Sequence, residues 1–372
     1  MRGLWVVRTG LVSPQAVDDV VDGAVRGGFN ALFVQVRGRG DAFYASRLVP
    51  RSELLRGQPA DFDPLGRLIA RARGRGLQVH AWVNVLLCAH FGLALPAGHV
   101  AVWHPEWLMV PKGAAAAARD RPRAELVALI EEHREEGDAE GLYLSPSAPG
   151  AAAHLEQVVS ELVRGYALDG LHLDFIRYPG PEYDWSRAAL EDFRTRGGGT
   201  GGLLAAPLVD PVAWGNYRRA ALDTLAARLS RAARDARPGL VVSAAVVPDL
   251  AQALYHKYQA WPEWMARGLV DAVCPMAYTA DTRVFRAQLE DARARLGPTA
   301  LLWAGVGAWR LGVEGVVEKI RVAREAGASG VVLFSHESFL PADLDELHAD
   351  AFVAVAAPQP AGAGGLARRR PR

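Results

Sequence analysis

"LDGLHLDFIRYPG" (residues 168–180) alternates apolar Leu171, Leu173 and Phe175 with polar His172 and Asp174, and Pro179 stops it. A period of two marks a β-strand with one greasy and one polar face. A helical stretch at 150–165 precedes this strand, and the same order recurs on both sides of it. Toward the N-terminus lie strand-like runs at 4–9, 30–38 and 77–85, with helical stretches at 14–27 and 63–76 between them. Asp63 and Pro64 open the second of these helices as its cap and first-turn proline. Toward the C-terminus, strands at 240–247, 269–278, 300–307 and 330–336 alternate with helical stretches at 211–236, 259–267, 281–294, 313–326 and 341–356.

Eight strands with helical material between them predict an α/β chain closed as a single (β/α)8 TIM barrel. An open doubly wound sheet is the alternative, but no G-x-G-x-x-G follows the first strand. The barrel is expected to occupy 1–356, and the Ala-, Gly-, Pro- and Arg-rich segment 357–372 reads as a disordered tail. The connections 86–149 and 179–210, after the third and fourth strands, are too long for simple crossovers. Both leave the C-terminal ends of strands, where barrel enzymes build their active sites.

The chain has 372 residues, half of them hydrophobic, with 42 basic and 41 acidic residues and a net charge of +1. Near-neutrality argues against a nucleic-acid or anionic-membrane partner. No apolar run reaches the length of a membrane span. The start "MRGLWVVRTG" is strand-like rather than a signal peptide, so a cytoplasmic location is the default expectation. Cys88 and Cys274 stand far apart in apolar runs and read as buried thiols, not as a disulfide or zinc set.

One face of each barrel strand points to the helices and the other to the axis. The set Gln35 and Arg37, the set His80, Trp82 and Asn84, and the pair His172 and Asp174 are then expected to face inward. Burying such groups costs several kcal/mol each unless they are paired or wet, roughly, which predicts a hydrated pocket. The structural alternative is kept for each. Taken alone, Gln35 and His172 read more readily as satisfied core groups than as catalysts, and Arg37 reads as the partner of Asp41 or Asp174. Asp174 is the exception, because aspartate is a poor strand former and this one stands at a strand end. No H-E-x-x-H or G-x-S-x-G motif appears, and nothing calls for a metal or cofactor.

Paired carboxylates are the chemistry of glycoside hydrolysis. Asp174 is the first candidate, Glu337 in "FSHES" the second and Asp249 in "VVPDL" the third, with Asp249 equally readable as a helix cap. Aromatic residues follow several strands, among them Tyr44, Trp82, Tyr178, Tyr278 and Trp309, and flat rings suit sugar faces.

The blocks "FVQVRGRGDAFYASRLVP", "GLQVHAWVNV", "YALDGLHLDFIRYP", "VSAAVVPD", "LVDAVCPMAYT", "AGVGAW" and "GVVLFSHES" follow one another in an order that resembles the family-10-like glycosyl hydrolases. The resemblance implies a barrel related to amylase-like glycosidases, hydrolysis of a polysaccharide and, in some bacterial members, cleavage of peptidoglycan glycan strands. It gives Asp174 the part of nucleophile. Members often read "FSYDS" where this chain has Glu337. It also implies an exported or envelope-attached protein. Gln35, Arg37, Asp41, Tyr44, His80, Trp82, Asn84, His172, Arg177, Tyr178 and Tyr278 are the candidate substrate contacts. A non-catalytic carbohydrate-binding barrel, or a metal-dependent hydrolase or deacetylase using His80, His172 and Asp174, are the rival readings.

Overall fold

The eight expected strands pair as β1 (Arg2–Val6), β2 (Ala31–Arg37), β3 (Gln78–Asn84), β6 (Gly170–Asp174), β7 (Val241–Val246), β8 (Ala272–Pro275), β9 (Leu301–Gly307) and β10 (Gly330–Phe334). In the computed structural model, which describes residues 1–135 and 139–352, they are parallel throughout and close on themselves where β10 meets β1. The predicted tail, 357–372, lies outside the described residues. The helices form where their caps direct them. Asp63 accepts the Gly66 N–H at 3.0 Å with Pro64 in the first turn, as predicted.

The alternation in each strand sorts its side chains into two layers. Leu32, Val34, Leu171 and Leu173 face outward. They share an apolar layer with Val17, Val20 and Val21 of helix Pro14–Arg26 and with Leu155, Val158 and Leu162 of helix Pro149–Gly165. The inner layer is largely aromatic. Trp5, Phe33, Trp82, Trp303 and Val332 fill the axis. His80 lies on Phe33 with ring centroids 4.7 Å apart, and His172 meets the same ring edge-on at 5.0 Å. Burial pushes both imidazoles down to about 3, so both are neutral at pH 7. The expectation of a hydrated pocket at these two histidines is therefore corrected. They are core packing groups, with the His172 Nδ1 satisfied by the Ser243 hydroxyl at 2.9 Å.

Arg37 is also corrected. The pairing of β2 with β3 slips between Gln35 and Arg37, so that Arg37 stands opposite outward-facing Val83. A bulge of this kind turns the following side chain to the other face. The Arg37 guanidinium bonds the carbonyls of Asn84 and Val85 and makes no ion pair with Asp41 or Asp174 among the described residues.

The insertion after β3 carries a two-stranded antiparallel ribbon, β4 (Leu87–His90) with β5 (Gly141–Tyr143). It is tied to the end of β6, because Val85 N–H donates to Asp174 O at 2.7 Å and Leu86 N–H to Phe175 O at 3.2 Å. The ribbon is thereby laid beside the C-terminal mouth of the barrel.

Gly170 opens β6 against His80, and a Cβ there would collide with the His80 ring. Gly170→Ala is expected to cost about 1–3 kcal/mol through overpacking. Adding His80→Ala should recover part of that loss, because the two positions share one contact. Urea unfolding of the two single variants and the double variant checks this, and strictly additive losses would contradict it.

Candidate active site

Asp174 ends β6 beside Asn84 of β3 and is 6% exposed. Its Oδ1 accepts the Phe175 N–H at 2.6 Å and lies 3.5 Å from Arg177 Nη1. Burial raises its affinity for a proton above that of a free aspartate. Arg177, the Phe175 amide and the Trp82 indole pull the other way, and Glu140 adds to the rise. Phe175 holds its amide in place at φ 50°, a left-handed conformation uncommon for a bulky residue. Such strain persists only where surrounding structure imposes it, and it clusters at functional sites. Here the imposing contacts are visible: the Arg177 guanidinium sits 4.2 Å above the Phe175 ring.

Arg177 has a second carboxylate. Its Nη2 lies 3.6 Å from Glu140 Oε1, and the Tyr143 hydroxyl donates to Glu140 Oε2. Asp174 and Glu140 thus flank one guanidinium, which keeps them less than about 10 Å apart, within the span of glycosidase carboxyl pairs. Sequence reasoning passed over Glu140, which lies inside the insertion. The available signal was an acid directly before the strand-like "GLYLSP".

The other acids do not join this pair. Glu337 is exposed and accepts hydrogen bonds from Thr9 Oγ1 at 3.0 Å and Ser335 Oγ at 2.8 Å. Asp249 caps helix Leu250–Tyr255, accepting the Gln252 N–H at 2.8 Å, which is the second of the two readings given for it. Asp41 accepts the Arg39 N–H at 3.0 Å.

Several predicted contacts do gather near Asp174. Asn84 Oδ1 accepts from the Trp82 indole at 2.9 Å and the Gln35 amide at 3.5 Å, and Asn84 Nδ2 donates to Gly38 O at 2.9 Å. Gln35 Oε1 in turn accepts from Arg8 Nη1 at 3.3 Å, a partner the sequence did not indicate. On the opposite wall, Tyr278 meets Trp309 edge-on at 5.0 Å and Phe334 at 5.7 Å, with Trp5 beneath at 6.1 Å. Asp174 and Arg177 both act on the Tyr278 hydroxyl electrostatically. Trp309 is 48% exposed, with the Arg310 guanidinium 5.3 Å over its ring. Tyr178 and Tyr44 are placed differently from expectation. Tyr178 is fully buried against Tyr258, and Tyr44 packs edge-on to Tyr166 with burial raising its hydroxyl to about 12. Among the described residues no group of three or more His, Cys, Asp or Glu side chains is arranged to hold a metal ion.

Comparison with known proteins bears on the family and the fold. The family model described as glycosyl hydrolase-like 10 matches residues 1–300. Glycosyl hydrolase DigH of Escherichia coli (strain K12) is 25% identical over 326 residues, a match that covers 79% of this chain and 63% of that protein. Glycosyl hydrolase YngK of Bacillus subtilis (strain 168) is 28% identical over 184 residues, covering 47% and 31%. The chain therefore spans less than two thirds of the length of the curated relatives. Among solved structures, the PgaB (BpsB) glycoside hydrolase domain from Bordetella bronchiseptica superposes with a TM-score of 0.70 at 16% identity, covering 94% of this chain and 99% of that one. An α-L-fucosidase isoenzyme from Paenibacillus thiaminolyticus gives 0.64 at 16% identity, covering 93% and 48%. At those identities the structures establish the shared fold.

Because the folded value of Asp174 is raised, the native state binds a proton more tightly than the unfolded chain. The stability this gives is full below the ordinary aspartate range and is lost as pH rises through the folded value. Asp174→Asn keeps the neutral shape at all pH values. Its Tm is expected to exceed that of the wild type at pH 7, the gap closing as the pH falls toward 4, about the ordinary aspartate value. Thermal scans across that range check it, and a variant less stable at pH 7 would contradict it.

Proposed function

The chain belongs to the glycosyl hydrolase-like 10 family, and from that premise we propose that it hydrolyses glycosidic bonds of a polysaccharide, the glycan of a bacterial cell wall being the substrate class put forward. The observation that carries the proposal is the pair Asp174 and Glu140 held on either side of Arg177 at the mouth of the barrel.

Hydrolysis passes through an oxocarbenium-like centre that needs negative charge on one side and a proton for the leaving oxygen on the other. Asp174 supplies the charge. It is the deeper of the two; burial raises its proton affinity, and Arg177, the Phe175 amide and the Trp82 indole work against that rise in favour of the ionised form. A charge in a water-poor site acts more strongly on a developing cation than one in bulk water. Glu140, whose side chain is 43% exposed, delivers a proton to the leaving oxygen as the glycosidic bond breaks; a water molecule then bonds to the anomeric carbon and gives up a proton that restores the acid. Tyr278, Trp309 and Phe334 form the wall on which a sugar ring lies, and the Gln35–Asn84 pair meets its hydroxyls.

This assignment replaces Glu337 and Asp249 with Glu140 as donor. Glu140→Gln is expected to lower kcat by about 10²- to 10⁴-fold, the usual worth of a general acid. Glu337→Gln and Asp249→Asn should each stay within a few-fold of wild type. Release of reducing ends from peptide-free peptidoglycan measures this. Full activity in Glu140→Gln, with loss in either of the other variants, would return the donor's role to the strand ends.

A further inference from the structure

The insertion that brings Glu140 to the cleft also builds a second concave surface. Its residues 97–107, the loop after β2 and the first half of helix Pro149–Gly165 enclose a groove of about 630 Å³. Trp103 lines it and is 64% exposed. Beside it His104 lies flat on Trp107, with ring centroids 3.7 Å apart and planes 4° from parallel. Trp107 is fixed from below, because it packs where Gly150 has no side chain and any Cβ would collide with the indole. Polar groups stand on the facing walls. Gln157 and His154 both line the groove.

Leaving an indole of this size in water forgoes about 2 kcal/mol of burial. A rigid aromatic shelf next to side-chain amide and imidazole groups offers what a sugar needs: a flat surface for its C–H face and partners for its hydroxyls. The position is also suitable. Helices of a (β/α)8 barrel run against their strands, so Gly150 and His154, near the start of their helix, lie at the end of the barrel where β6 finishes in Asp174. The loop after β2 lies at that end too. The insertion thus contributes residues 97–107 to the groove and Glu140 to the cleft.

We infer that this groove is a second carbohydrate subsite, on the outer flank of the barrel mouth, which holds a further stretch of the polysaccharide whose scissile bond lies over Asp174. The inference rests on the glycosidase reading of the cleft. It makes Trp103 a residue that distinguishes long chains from short ones and takes no part in bond cleavage.

Trp103→Ala in the full chain tests it, with peptide-free peptidoglycan strands, chitin and amylose as probes, each as long polymer and as short oligomer. On the polymer that the wild type cleaves, KM for long chains should rise about fivefold, the worth of one stacked ring. The kcat and KM for short oligomers should stay unchanged. Binding of the long polymer to Asp174→Asn should weaken by the same factor when Trp103→Ala is added. Equal kinetics on long chains in wild type and variant, or an equal loss on long and short, would overturn the groove while leaving the cleft's assignment standing. No cleavage and no binding of any of the three polymers by the wild type would overturn both.

Discussion

The site depends on a carboxyl group held out of water. Asp174 stands at the end of a strand, where its neighbours are aromatic rings and backbone, and burial works against its charge. What makes the position tenable is Arg177, three residues on, which is buried with it and also reaches Glu140. Losing Arg177 would leave the Asp174 carboxylate buried without a counter-charge. The left-handed Phe175 belongs to the same arrangement. It turns the chain sharply after β6, gives its amide to Asp174 and places its ring under the guanidinium.

Below that level the barrel is filled by rings. Phe33, Trp5 and Trp303 surround His80 and His172, and the neutral imidazoles fill space as flat aromatic rings do. Above it the side chains are polar or partly exposed: Gln35, Asn84, Asp174 and the Tyr278–Trp309 wall. This division places rigidity at the floor and chemistry at the mouth, where the loops and the inserted ribbon add to it.

The barrel was legible because its signal is periodic. Leu171 and Leu173, Leu32 and Val34 alternate with inward residues over many turns of one pattern, and the caps Asp63 and Asp249 mark helix starts locally. The strand-four aspartate was legible for a related reason, as an acid in the wrong place for a strand. Arg37 was misplaced because one bulge, silent in the sequence, inverts everything after it. A polar side chain on an inner face does not announce its depth along the axis, so the sequence offers His80 as a site group and leaves His172 open between site and core, where the structure places it in the core. Glu140 was missed because its role comes from a contact between residues 140 and 177, set by how an insertion folds back. Periodicity carries no information about such a contact.

The most direct test is the release of reducing ends from purified polysaccharide, beginning with peptide-free peptidoglycan, by the wild-type chain and by Asp174→Asn prepared alongside it. The account predicts new reducing ends with the wild type and at least a thousandfold fewer, roughly, with Asp174→Asn, while the variant still binds the same polymer. Undiminished hydrolysis by a folded Asp174→Asn protein would contradict it.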